Sequence, residues 1–173
     1  MSNWNTPQSG TPASSTRPGS AIQDGDASQI VTVLNELIET SRDGEKGFAL
    51  AAKDANDPAL TGAFSEGEQS CRVAVQELQD MVRQIGGNPD DSGSVKGAVH
   101  RGWVSLKAAA SSRDAKAILE ECERGEDYAK AKYADALKQP LPESVRQVVE
   151  RQYQGVLANH NRIRDLRNQY RDQ

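Results

Sequence analysis

Apolar residues recur three or four positions apart in four long stretches of this chain, and the spacing predicts four amphipathic helices. The first, over 28–55 with Ser28 as its N-cap, places Ile30, Leu34, Leu37, Phe48 and Ala52 on one face. Ser41 and either Gly44 or Glu45 interrupt that face, which marks either a site or a close approach of two helices. Asn56-Asp57-Pro58 ends the helix, because proline disfavours the helical conformation of the residue before it. The second helix, over 58–85, presents Leu60, Phe64, Cys71, Val75, Leu78, Val82 and Ile85 and stops at Gly86-Gly87-Asn88-Pro89. So short a connection makes the two an antiparallel hairpin. A third helix over 114–138, capped by Asp114, carries Ile118, Cys122, Ala129, Tyr133 and Leu137. After the turn Gln139-Pro140-Leu141-Pro142, a fourth over 142–170 presents Val145, Val149, Gln152, Val156, Asn159 or His160, Ile163, Leu166 and Tyr170. Strand signals are almost lacking, so the fold class is all-α.

The link over 90–112 contains Val95, Val99, Trp103 and Leu106 at helical spacing, which predicts a short extra helix within 93–111 lying across the bundle. Trp103 is expected to seal that helix on the bundle, and His100 to lie on the surface or between helices. A link of this length lets the second hairpin start at the same end as the first, as in bundles with one long crossover. The two hairpins also look like a repeat. Under an ungapped offset of 81, Ile38-Glu39 falls on Leu119-Glu120 and Gly44-Glu45 on Gly125-Glu126. The same offset pairs Leu60 with Leu141, Val75 with Val156, Val82 with Ile163 and Ile85 with Leu166.

Composition narrows the function. Residues 1–27 are Ser, Thr, Pro and Gly with hardly an aliphatic side chain, which predicts a disordered tail with one oddity, Trp4, ahead of a helical domain over 28–171. Lys and Arg number 21 against 25 Asp and Glu, and they are spread along the helices, so the basic stripe that nucleic acid requires is missing. There is no run of the roughly 18 apolar residues that a bilayer requires, and no secretory signal is visible, so no membrane partner and a cytoplasmic location are the expectations. Cys71 and Cys122, isolated within apolar stripes, read as small buried hydrophobes. The small-residue patches Ala49-Leu50-Ala51-Ala52 and Ala108-Ala109-Ala110 are candidates for a homo-oligomer through helix faces.

Four segments together, LNELIETSRDGEKGF, GGNPDDSGSVKGAVHRGW, ILEECERGED and VERQYQGVLANHNRIRDLR, resemble an uncharacterised bacterial family of ferritin-like four-helix-bundle proteins, catalogued as a domain of unknown function. The resemblance covers about Gln29 to Arg167. It implies two related hairpins in a ferritin-like bundle with one long crossover, and no particular reaction. A ferritin-type di-iron centre takes a Glu from each of two helices and a Glu-x-x-His pair from each of the other two. Helices one and three offer Glu45 and Glu126, but Glu68 is followed three residues later by Cys71, and Leu157 stands three residues before His160. Neither Glu-x-x-His motif exists. Glu39, Asp43, Glu45, Glu120, Glu123 and Glu126 are explained as well by solvated helix faces with links such as Glu39 to Arg42 and Asp43 to Lys46. Gly44 and Gly125 would then let the repeats approach closely. The expectation is a non-enzymatic structural or binding module without a cofactor. The alternative is a degenerate ferritin-like metal-binding protein or oxidase, in which Glu45, Glu68, Glu126 and His160 converge, with Ser41 and Cys122 at the same level, on one iron, manganese or zinc ion.

Overall fold

Local capping chemistry sets the helix boundaries. The computed structural model describes residues 24–90, 105–109, 111 and 114–171, and the described chain is helical with no strand. The helices are α1 (Asp24–Asp54), α2 (Pro58–Gln84), α3 (Ala115–Leu137) and α4 (Glu143–Arg171). At the start of α2 the Asp57 carboxylate accepts from the Ala59 amide at 2.7 Å and Pro58 needs no amide partner. Asp114 accepts from the Lys116 and Ala117 amides at 3.0 and 3.3 Å, as a cap at that position should. At the end of α2, Gly86 takes φ +84°, and the Gly86 and Gly87 amides return to the carbonyls of Arg83 and Val82. That closing pattern requires the left-handed conformation that glycine adopts at little cost. Arg146 of α4 donates to the carbonyls of Leu137 and Gln139, satisfying acceptors at the end of α3.

One expected boundary changes. Helix α1 starts at Asp24 rather than Ser28, whose carbonyl sits inside the helix and accepts from Thr32 Oγ1 at 3.0 Å. Asp26 in the first turn suits the positive end of the helix, which favours the additional turn. Residues 24–27 are thus part of α1, and residues 1–23 of the expected tail, with Trp4, lie outside the described residues. Val95, Val99, His100 and Trp103 also lie outside them. Residues 105–109 of the expected crossover helix are helical, with Leu106 and Ala109 buried.

The core forms two layers. One gathers Ile30, Leu34, Leu37 and Ile38 of α1 with Val75 to Val82 of α2, Tyr133 and Ala136 of α3, and Val145 and Val149 of α4. The other gathers Phe48 and Ala51 with Leu60, Phe64, Leu106, Ile118, Leu119, Cys122 and Ile163. Residue order through the layers fixes direction: α1 and α4 run one way, α2 and α3 the other. Each helix packs on two antiparallel neighbours, α1 on α2 and α3, and α4 on α3 and α2. The chain leaves α2 beside the start of α1, where Asn35 bonds the backbone of Asn88 and Asp90, and enters α3 in the far layer. The crossover therefore spans the bundle. The second hairpin starts at the opposite end from the first, which corrects the expectation of a shared end: α2 and α3 run parallel.

Three of the apolar pairs related by the offset of 81 are buried at both positions, while Val156, Ile85 and Leu166 of the other two pairs are half-buried. Ile38 and Leu119 are both fully buried, as are Val82 and Ile163, and Leu60 and Leu141 are buried too. Helix α1 turns Ala51 rather than Ala52 fully inward. Gly67, under the ring of Phe48, makes the close approach between α1 and α2, since a Cβ there would stand 3.0 Å from ring atoms. No described helix is long and apolar enough to cross a membrane.

Candidate binding cleft

Between the two apolar layers the stripes break on several helices at once. Thr40 and Ser41 of α1, Glu126 of α3 and His160 of α4 are buried polar residues at this level. Small side chains leave space between α1 and α3, with Gly44 and Gly47 on one side and Gly125 and Ala129 on the other. A cleft of about 480 Å³ results. Phe48, Leu106, Tyr133 and Val156 supply much of its apolar wall, and Cys71 and Cys122 line it as well.

One polar chain crosses this level and ties the four helices together. Ser41 Oγ of α1 lies 3.0 Å from the Tyr133 hydroxyl of α3, which donates to Gln152 Oε1 of α4 at 3.0 Å. Gln152 Nε2 in turn donates to Glu77 Oε2 at 2.8 Å and reaches the Ala74 carbonyl, both on α2. Burial pushes the Tyr133 phenol well above its ordinary range, so it stays protonated and donating.

Glu126 stands apart from that chain. It is 5 % exposed. Its Oε1 accepts from Asn159 Nδ2 at 2.9 Å, and Oε2 is buried without a hydrogen-bond partner among the described residues. Burial raises its pKa to about 7, with Asn159 opposing and the Asp127 charge adding to the rise. The same burial, with the Glu126 charge behind it, pushes the Cys71 thiol to about 12 and the Cys122 thiol higher still. Neither cysteine supplies a thiolate near neutral pH.

The four candidate metal ligands are not gathered. Glu45 and Glu68 both turn to Arg72, with Arg72 Nε 2.9 Å from Glu45 Oε1 and Nη2 on Glu68. His160 Nε2 lies 2.9 Å from Asp127 Oδ1 and 3.5 Å from Lys130 Nζ. Only Glu126 of the four lines the cleft, together with Ser41 and Cys122 from the same expected level. Among the described residues no three His, Cys, Asp or Glu side chains stand close enough to share a metal, so the donor set does not fit a ferritin-type ion as placed. The repeated Gly-Glu pairs have diverged. Gly44 accommodates Cys71 of its own hairpin, whose Sγ would lie 2.9 Å from an added Cβ, and Gly125 faces open space. Neither glycine brings the two repeats into close approach. Arg42 reaches the Asp90 carbonyl across the end of α2.

Tyr133, Gln152 and Asn159 were legible only as positions on apolar stripes. The signal that marked them was a polar group where the period calls for an aliphatic one.

Fold and cleft together define an all-helical bundle with a partly polar interior, lacking a recognisable catalytic constellation among its described residues. The chain belongs to the family described as Domain of unknown function (DUF2383), whose pattern matches residues 29–139, from the start of α1 through the end of α3. No curated protein matches the chain.

Proposed function

We propose that this protein is a non-enzymatic binding module, a ferritin-like four-helix bundle that holds a small molecule with an apolar body in the cleft between α1 and α3. The cleft itself carries the reading. A volume of about 480 Å³ lies within the range of small-molecule sites and far above the voids that packing leaves in a core. Its thiols and its phenol stay protonated near neutral pH and supply no nucleophile. The order of helix directions, with one crossover spanning the bundle, supports the ferritin-like assignment. A cytoplasmic setting goes with it, since two free cysteines in the core suit a reducing compartment.

The test is calorimetric titration with butan-1-ol through octan-1-ol against the wild type and an Ala129→Leu variant of unchanged helicity. Binding by the wild type that the cleft-filling variant weakens at least tenfold supports the reading. Equal affinity in both proteins contradicts it. Pairing of two copies through helix faces belongs to the proposal as well, although Ala51 and Ala109 of the small-residue patches are spent in the core. Light scattering that finds only monomer over a wide concentration range removes that part.

A second reading, a degenerate iron or manganese site or oxidase, draws on the unpartnered buried oxygen of Glu126. It requires Glu45 and Glu68 to leave Arg72 and turn inward. Equal metal content in the wild type and a Glu45→Ala, Glu126→Ala double variant, both purified without chelator, removes it.

A further inference from the structure

We propose that the molecule held in the cleft is an organic cation, an ammonium group on an apolar body, seated on Glu126 Oε2. This rests on the cleft being a binding site and adds what that site selects. A buried carboxyl oxygen without a donor is costly, and native interiors seldom leave one so. Glu126 Oε2 is such an atom, on a side chain only 5 % exposed.

Most of the polar donors that line the cleft are committed elsewhere. The Tyr133 hydroxyl is spent on Gln152, and Ser41 Oγ is held against Tyr133. Thr40 donates to the Glu36 carbonyl and Ser105 to Glu121. Arg124, the one basic side chain in the described lining, donates to both oxygens of Glu121. No described side chain donates to Glu126 Oε2, which leaves that place for a ligand's donor.

Charge then selects among ligands. In the described lining Arg124 is spent on Glu121, which leaves the Glu126 carboxyl to repel an anion and attract a cation. A charge-assisted hydrogen bond is roughly twice as strong as a neutral one, which favours an ammonium over a hydroxyl at the same seat. A metal ion needs several ligands converging at fixed distances, and no such group of three exists among the described residues. An ammonium accepts looser geometry, while Phe48, Leu106 and Val156 provide apolar surface for a carbon chain.

The probes are hexan-1-amine, hexan-1-ol and hexanoate, titrated by calorimetry at pH 8 into the wild type and a Glu126→Gln variant shown to be folded by circular dichroism. At that pH the amine is protonated and a carboxyl with a pKa of about 7 is ionised. The amine should bind the wild type about 10- to 100-fold more tightly than the alcohol. In Glu126→Gln the amine should fall to the level of the alcohol measured in that same variant. An amine no tighter than the alcohol, an amine unaffected by Glu126→Gln, or hexanoate binding tightest overturns the cation while alcohol binding keeps the cleft. Binding of none of the three overturns both.

Discussion

Replacing Tyr133 by Phe removes a single oxygen from the level where all four helices are tied together. The ring stays, so no cavity larger than the hydroxyl opens, and the loss is confined to hydrogen bonding. Two bonds of 3.0 Å go, one to Ser41 and one to Gln152. Ser41 is 6 % exposed, and its hydroxyl would be left buried with its partner gone, at about 1–3 kcal/mol. Gln152 is only half-buried and keeps Glu77, so its share is about 0.5–1 kcal/mol. The expected loss is about 2–3 kcal/mol, read by urea denaturation as a lower midpoint with an unchanged slope. In a domain of this size that corresponds to a fall in Tm of about 5–10 °C. Ser41→Ala on the Tyr133→Phe background should recover about 1 kcal/mol by removing the orphaned hydroxyl, and the double-mutant cycle should give a coupling of about that size. A Tyr133→Phe variant within 0.5 kcal/mol of wild type, or zero coupling, would refute the polar chain as a stabilising link.

Other substitutions read the same geometry. Gly125→Ala should stabilise the protein by about 0.5–1 kcal/mol in the same denaturation assay, because the added Cβ meets no atom within 4 Å and a helix interior disfavours glycine. Gly67→Ala should do the opposite, by about 1–2 kcal/mol, since its Cβ would press on the Phe48 ring, itself packed on Phe64 at a centroid distance of 6.4 Å. Glu126 gives a pH signature. Its folded pKa of about 7 lies above the ordinary carboxyl value of 4.5, so the folded state binds the extra proton between those values and stability falls as pH rises through that window. Wild type should therefore lose about 3 kcal/mol relative to Glu126→Gln between pH 4.5 and pH 8, and parallel pH profiles for the two proteins would contradict this.

The four helices were legible because burial follows a period of three or four residues, and the residues that obey it, from Ile30 to Ile163, form the core. Capping chemistry placed the ends near Pro58 and Asp114 within a residue. The direction of the second hairpin was not legible: link length shows that a crossover is possible, whereas the end at which α3 enters is decided by where Ile118 and Leu119 find their layer. The site was legible in level and not in membership. Ser41, Cys122 and Glu126 do meet in the cleft. Glu45 and Glu68 could not be placed from spacing, because a helix position fixes a direction only to within a rotamer, and Arg72 offered both carboxylates a partner on the surface side. Gly125 and Gly44 read alike in sequence, yet the neighbour that fills one and leaves the other open comes from elsewhere in the fold.

The cleft's role as a binding site is tested most directly by intermolecular nuclear Overhauser contacts between hexan-1-ol and isotope-labelled protein. Occupation of the cleft predicts contacts from the alkyl chain to the Ala129 and Val156 methyls and the Phe48 ring. Contacts confined to the exposed Val73 side chain on α2, or none at saturating alcohol, would contradict it.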